Sequence, residues 1–145
     1  MRITRCLFFR TFVYTLFLSF MIPFSQTYGQ EKKTPSFKLA LIQMRVKGGD
    51  REANLAHARV MIARAVKNKA DIVLLPEAMD LGWTHPSTLQ KAQSIPDGKT
   101  CRFLIKMARK HQLFVCAGLA EKDRDKIYNS AVIINPRGRV ILKHR

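Results

Sequence analysis

The stretch from Asp71 to Trp83 reads DIVLLPEAMDLGW, and it decides the fold class of this chain. The run Ala70 to Leu75 is short, apolar and β-branched, and it stops at Pro76, which is typical of a central parallel strand. Glu77 follows directly, at the carboxyl end of that strand, where ligand crevices form in open α/β sheets. The stretch therefore predicts a buried strand that delivers one carboxylate to a crevice.

Upstream of this strand the sequence predicts a strand and then a helix. Phe37 to Met44 is almost continuously apolar, as in a strand covered on both faces, and Gly48-Gly49 interrupts it. Asp50 is a good N-cap residue for the helix that follows. Apolar residues then recur at helical spacing and predict one buried face: Leu55, Ala58, Ile62, Ala65 and Val66.

Downstream, the pattern predicts a second helix and three more strands. Thr84 to Pro96 has no clear period and is expected to be irregular with one short helix. Asp97 is expected to cap a helix that runs to His111, with Leu104, Ile105 and Ala108 buried. A charged turn is predicted over Glu121 to Lys126, and the strands over Leu113–Ala120, Ile127–Asn135 and Arg139–His144. The order β, α, β, α, β, β, β indicates an α/β fold.

The amino terminus has the pattern of an export signal. Three arginines precede Thr11 to Ile22, an apolar run too short to span a bilayer comfortably. Small residues then place cleavage after Gly29, which gives a signal peptide over 1–29, a polar tether over 30–36 and a domain over 37–145. We therefore expect a periplasmic or secreted protein with no stable membrane span after cleavage. An uncleaved membrane anchor is the alternative.

The chain is strongly basic, with a formal charge of +16 that falls to +13 when the three arginines of the leader are removed. Such a charge attracts nucleic acid or anionic surfaces, or it keeps a protein soluble. The basic residues are scattered, and no aromatic platform is interleaved with them. The pattern predicts a solvated basic surface and no specific nucleic-acid partner.

Cysteines and histidines give no pattern of a metal or cofactor site. Cys101 and Cys116 remain after cleavage of the leader and are expected to be buried free thiols. Asp80 and His85 are five residues apart, and no further pair has the spacing of metal ligands. Because no phosphate-binding glycine-rich loop is present either, we expect neither a metal nor a cofactor.

Glu77 has two interpretations when its position alone is considered. A partly buried carboxylate at a strand end can act as a general base for a nucleophile from another strand. The same residue could simply open a loop in solvent. The surrounding sequence favours the first interpretation, because LLPE followed by Gly82-Trp83 resembles the glutamate motif of the nitrilase superfamily of carbon-nitrogen hydrolases.

The resemblance to that family extends from Phe37 to Arg145. FKLALIQM resembles its first strand, IPDG precedes its second helix, and LFVCAGLAEKD with IYNSAVIINPRGRVILKHR resembles its paired strands. The resemblance implies a four-layer αββα sandwich, of which this chain would hold only the amino-terminal half. It also implies a mechanism in which Glu77 is the general base for a cysteine nucleophile, while a lysine stabilises the charged tetrahedral species.

The family's lysine and cysteine have no match in this chain. The resemblance puts the lysine directly after Arg145, and a slip of three residues would turn Lys143 to the opposite face of its strand. The cysteine belongs further on, so neither Cys101 nor Cys116 matches it. At two other matched positions, Asn129 is expected to have a structural role that ties its strand to a loop, and Glu121 is expected to have a local role.

We therefore expect a hydrolase of amide or nitrile substrates, represented by an incomplete chain that is inactive alone. A homo-oligomer is expected only by analogy with the family. One alternative is a non-catalytic basic remnant that binds anionic surfaces. A second is that half a sandwich leaves a sheet face uncovered and gives no stable product.

Overall fold

The structure is a computed structural model that describes residues 34–145. The predicted signal peptide, and most of the predicted tether, lie outside these residues and stay predictions. Pro35–Arg145 forms one compact unit. Within residues 34–145 no helix is both long enough and apolar enough to cross a membrane.

Strands and helices follow one another in the predicted order. The described elements are β1 (Leu39–Leu41), α1 (Arg51–Lys67), β2 (Ile72–Leu74), α2 (Thr88–Lys91), α3 (Lys99–His111), β3 (Phe114–Asp123), β4 (Lys126–Ile134) and β5 (Val140–His144). The short helix α2 lies in the segment that was expected to be irregular. The mixed α/β architecture predicted from the sequence is therefore confirmed.

The five strands form one sheet in the order β1-β2-β3-β4-β5. The first three strands are parallel, with Leu74 opposite Cys116, and the last three are antiparallel. A parallel pair needs a crossover, and here α1 and α3 supply the crossovers, whereas the antiparallel strands follow one another through short turns. The three parallel strands therefore end at the same edge of the sheet. The loop that follows β2 and carries Glu77 begins at this edge.

One face of the sheet is covered by α1 and α3. Ile62 of α1 and Leu104 of α3 pack with Val73, Val115 and Ile134 of the sheet in the hydrophobic core, and all five are fully buried. We call this side the helix face. Burial of this much apolar area is the main term that stabilises the fold.

The opposite face of the sheet is apolar but open in the described part of the chain, and we call it the open face. Large apolar side chains on it are exposed to different degrees: Leu39 43%, Leu41 66%, Leu74 38%, Phe114 36% and Leu142 47%. The prediction that Phe37 to Met44 is covered on both faces is therefore wrong at Leu39 and Leu41. A continuous apolar run shows that both faces suit burial, and what covers each face depends on the rest of the fold.

Helix α1 begins as predicted, but α3 does not. Asp50 caps α1 by accepting a hydrogen bond from the backbone N–H of Ala53 at 3.1 Å. The cap residue of α3 is Gly98, not Asp97, and it makes no side-chain cap bond. The side-chain oxygen of Gln93 accepts from the Lys99 N–H at 2.8 Å instead, so a residue from the preceding loop satisfies a free donor of α3.

The predicted charged turn from Glu121 to Lys126 is too long. Strand β3 continues to Asp123 and β4 starts at Lys126, which leaves a two-residue hairpin turn in which Arg124 has φ 55°. The run of charged residues predicted a turn that includes Glu121, but Glu121 lies inside β3 and only 1% of its surface is exposed. Its neighbours on β4 and β5, described below, explain how a carboxylate is accommodated there.

Candidate active site

Glu77 is placed by the loop that continues from β2 along β3. The N–H of Leu75 donates to the Cys116 carbonyl at 2.8 Å, and the N–H of Met79 donates to the Gly118 carbonyl at 3.0 Å. A Cβ atom on Gly118 would lie 2.6 Å from Cα of Glu77, closer than side chains tolerate. The absent side chain of Gly118 therefore lets the backbone of Glu77 lie directly against β3.

Asn129 holds the carboxylate of Glu77. Its Nδ2 donates to Oε1 of Glu77 at 2.6 Å, across 52 residues of sequence. Asn129 pairs with Ala120 in the β3–β4 ladder, so it lies on the same face of the sheet as Gly118, the open face. The prediction that Asn129 ties its strand to a loop is confirmed, and the loop is the one that carries Glu77.

Glu77 is exposed in the described part of the chain, and the expected partial burial is not found. The reason is its position on the edge of the open face, where no described residue covers it. Glu77 lines two clefts, of about 700 and 420 Å³. The first cleft is lined by the end of β1 with the residues after it, 41–45, and by the end of β2 with the residues after it, 74–77. Cys116, Asn129 and Arg145 are among the residues of the second cleft. A ligand could therefore reach the carboxylate from the open face.

The two cysteines are free thiols, as predicted, but they differ in exposure. Cys101 is buried, and burial raises its pKa to about 11. Cys116 is only half-buried because it lies on the open face, and desolvation raises its pKa as well. Since the thiolate is the reactive form, a raised pKa disfavours either residue as a nucleophile.

Asp80 anchors the loop that carries Glu77, a role that the sequence did not reveal. It is 1% exposed, its Oδ1 accepts from the Ala120 N–H at 3.1 Å, and its Oδ2 accepts from the Thr100 hydroxyl at 3.2 Å. The Asn54 amide of α1 donates to the Asp80 carbonyl at 2.9 Å. The loop is thus tied to β3, α3 and α1. Burial raises the pKa of the Asp80 carboxyl.

Asp80 and His85, the two residues with some resemblance to a metal-ligand pair, bind protein groups in this structure. His85 contacts the Ser87 hydroxyl at 2.8 Å, while Asp80 uses both carboxylate oxygens on protein donors. Among residues 34–145 there is no group of three or more His, Cys, Asp or Glu side chains that could hold a metal ion.

Glu121 forms a second carboxylate centre, on the helix face. Lys143 donates to Oε1 at 2.6 Å, and Arg145 donates through Nε to Oε2 at 3.0 Å and through its terminal nitrogen to Oε1 at 2.9 Å. The Ser130 hydroxyl donates to Oε2, and the Arg145 guanidinium lies over the Tyr128 ring at 4.1 Å. The hydrogen bond from Arg145 is the main cause that lowers the pKa of Glu121 to about 2.

Lys143 and Glu77 lie on opposite faces of the sheet. Lys143 pairs with Val132, and Asn129, the partner of Glu77, lies three residues from Val132 on the same strand. Because side chains alternate between faces, Lys143 cannot share the site of Glu77. It is bound to Glu121 instead.

Comparisons with known proteins identify the family of this chain. The family model described as Carbon-nitrogen hydrolase matches residues 38–145. A nitrilase of Pyrococcus abyssi is 40% identical over 104 residues, which cover 70% of this chain and 40% of that protein. The omega-amidase NIT2 of Bos taurus is 35% identical over 111 residues, which cover 76% of this chain and 40% of that protein.

Solved structures give the same result. Nit3 of Saccharomyces cerevisiae, a member of the nitrilase superfamily, matches with a TM-score of 0.69 and 31% identity over 75% of this chain and 43% of that chain. An N-terminal amidase matches with a TM-score of 0.68 and 25% identity over 75% of this chain and 27% of that chain. The chain thus spans well under half the length of these relatives. Over that span it belongs to the carbon-nitrogen hydrolase family, within the nitrilase superfamily.

Proposed function

We propose that this chain forms the amino-terminal part of a hydrolase that cleaves amide or nitrile carbon-nitrogen bonds, with Glu77 as its general base. The observation that carries the proposal is the position of Glu77, which lies in the loop after β2, accepts a hydrogen bond from Asn129 and lines two open clefts. The names of the relatives, nitrilase and omega-amidase, support these two substrate classes.

The Asn129 bond suits Glu77 to proton transfer. It orients the carboxylate through Oε1, which leaves Oε2 as the oxygen that takes a proton. In the mechanism that the family implies, Oε2 takes the proton of a cysteine thiol, and the thiolate attacks the carbon of the amide or nitrile. For an amide, Glu77 then gives the proton to the departing amine, and water releases the acyl group from sulfur while a lysine stabilises the negative charge.

We further propose that the lysine and cysteine come from sequence outside residues 1–145. The relatives are about 2.5 times as long as the matched span, which supports this assignment. Arg145 is bound to Glu121 on the helix face. Strand alternation would therefore direct the side chain of a residue following Arg145 to the face of Glu77. Reading the coding DNA beyond the Arg145 codon tests this proposal. If no reading frame has a lysine codon directly after the Arg145 codon, the proposal is contradicted.

Ammonia release from a linear amide tests the catalytic assignment. We expect no hydrolysis by the 145-residue chain. A chain extended to the full length of the family should be active, and Glu77→Gln should lower kcat roughly a thousandfold. Glu52→Gln is the matched control, because Glu52 is an exposed glutamate paired with Lys99 away from the clefts. Equal activity of Glu77→Gln and Glu52→Gln would reject Glu77 as the base.

We also propose export through the signal peptide over 1–29. The basic start and the short apolar run support it. Mass spectrometry of the protein recovered from the producing cells should find Gln30 at the amino terminus. A chain that retains its leader in the membrane fraction would instead establish the uncleaved anchor.

A non-catalytic role in binding anionic surfaces is the second candidate. The observation that favours it is that four basic residues of α3 and Arg137 of the β4–β5 turn line one cleft, and Glu77 is not among its lining residues. Both roles can belong to one protein, because the two regions share no residue.

A further inference from the structure

A cleft of about 770 Å³ lies between α3 and the turn that joins β4 to β5. Five of its lining residues are cations and none is an acid. The cations are Arg102, Lys106, Arg109, Lys110 and Arg137. We call this feature the basic cleft. It concentrates about a fifth of the chain's 26 basic residues at one place, four of them from α3 and the fifth from the β4–β5 turn.

The fold brings these cations together in two ways. Residues three and four apart share one side of a helix, so Arg102, Lys106 and Arg109 line up along α3. Arg137 comes from the β4–β5 turn. The Gln112 amide connects the two elements, since it donates to the carbonyls of Arg109 at 2.8 Å and Pro136 at 3.3 Å.

Arg109 is the best-positioned of the five. Its side-chain carbons pack against Gly138, where an added Cβ would overlap with them. Gly138 has φ +74°, and the Asn135 side chain accepts hydrogen bonds from the backbone N–H groups of Arg137 and Arg139, both at 3.0 Å. The guanidinium is therefore presented from a packed stem above an ordered turn, which lowers the entropy lost when it binds a ligand.

Helix electrostatics account for only part of the cluster. Cations near a helix C-terminus are stabilised by the macrodipole, which explains Arg109 and Lys110. Arg102 lies near the other end of α3, where a cation is unfavourable, and Arg137 is not on the helix. These two residues need a different explanation.

None of the five cations forms an ion pair with an acidic residue of the described part of the chain. Every ion pair within residues 34–145 involves other basic residues: Lys47, Arg51, Lys99, Lys143 and Arg145. Like charges held within one cleft repel one another, and a bound anion would remove that cost. The cleft is thus complementary to a ligand with several negative charges.

We propose that the basic cleft binds a polyvalent phosphate, a ligand that carries two or more phosphate groups close together. Three guanidinium groups are available for bidentate contacts with phosphate oxygens, and two ammonium groups add point charges. The phosphates could belong to a soluble polyphosphate or to lipid headgroups. This site is independent of Glu77 and of the proposed hydrolysis.

Tripolyphosphate titrated into the full chain by calorimetry tests the proposal. The cleft variant Arg102→Gln, Arg109→Gln, Arg137→Gln should lose affinity by at least about tenfold, because three charge-assisted contacts are removed. The matched control is Arg64→Gln, Lys67→Gln, Lys69→Gln, which removes the same charge from exposed positions in the last turn of α1 and just after it. The control should bind within about twofold of the parent chain.

Two further arms separate the sources of phosphate and the role of net charge. Vesicles of phosphatidylcholine with added phosphatidylglycerol should compete with tripolyphosphate only if lipid headgroups enter the cleft. Equal losses in the cleft and control variants would overturn the proposal, since net charge would then be sufficient. Absence of tripolyphosphate binding by the parent chain at low salt would overturn it as well. Circular dichroism of both variants checks that they keep the parent fold.

Discussion

Two glutamates of this chain lie on opposite faces of the same sheet and have opposite surroundings. Glu77 is exposed on the open face and accepts a neutral amide donor from Asn129. Glu121 is buried on the helix face and is neutralised by Lys143 and Arg145. A paired and buried carboxylate stabilises structure, whereas an exposed carboxylate with one free oxygen can exchange protons.

Replacing Glu121 should destabilise the fold. Glu121→Gln leaves Lys143 and Arg145 without their counter-charge, and we expect the free energy of unfolding to fall by about 1–3 kcal/mol, since both cations keep partial contact with water. Urea unfolding at neutral pH measures the loss. Glu52→Gln, which breaks an exposed pair with Lys99, should cost less than about 1 kcal/mol. Equal losses would contradict the role of Glu121.

The contribution of Glu121 should depend on pH in a defined direction. Arg145 lowers its folded-state pKa to about 2 from the ordinary 4.5. A lowered folded-state pKa gives stability that is fully present above pH 4.5 and is lost as the pH falls towards 2. Unfolding measured across this range should show the gap between the parent chain and Glu121→Gln closing below pH 4.5. A gap that stays constant down to pH 3 or below would reject this linkage.

At the scale of elements, the loop after β2 does the most to build the candidate site. It runs beside β3, where Gly118 allows Glu77 to approach, and Asp80 fixes its far end by three bonds to α1, α3 and β3. The loop therefore has little freedom to move Glu77 away from Asn129. A carboxylate on a loop anchored in this way is preorganised before substrate arrives.

Adding a side chain at Gly118 should disturb that loop. In Gly118→Ala the new Cβ would overlap with the backbone of Glu77, and backbone cannot move aside as a flexible side chain can. We expect a loss of about 1–3 kcal/mol in unfolding free energy and faster hydrogen exchange over residues 77–80. Cys116→Val, on the same strand and face, should change exchange in the loop very little. Unchanged exchange in Gly118→Ala would contradict the close approach.

At the scale of the whole molecule, the sheet has one covered face and one open face. The open face carries Leu41, Leu74 and Leu142, each more than a third exposed. Large contiguous apolar patches mark surfaces that bind another structure or promote aggregation. In the αββα sandwich that the family resemblance implies, a second sheet layer would cover this face.

The 145-residue chain should therefore bind an apolar dye and associate as its concentration rises. Leu41→Lys with Leu142→Lys should lower anilinonaphthalene sulfonate fluorescence and shift sedimentation to smaller species, because both residues lie on the open face. Val60→Lys with Leu89→Lys is the matched control, since these residues are 56% and 72% exposed but lie on helices. Equal effects of the two pairs would show that the open face has no special role.

Prediction of the elements succeeded where local patterns decide structure. The apolar run before Pro76, the Asp50 cap and the stripe of α1 were predicted because each depends on residues close in sequence. Prediction failed for the start of α3, since Gln93 supplies from the preceding loop what Asp97 was expected to supply. It failed again for Glu121, whose burial depends on cations more than 20 residues away.

The sequence by itself determined the α/β class, the order of the elements, the family and the choice of Glu77 as the candidate base. Only the tertiary structure decided which groups meet: Asn129 with Glu77, Asp80 with three elements, and Lys143 with Glu121 on the other face. It also brought Arg137 next to the four cations of α3 in the basic cleft. The physical reason is that periodicity and caps act over a few residues, whereas cross-strand contacts depend on register, which is set by the packing of the whole sheet.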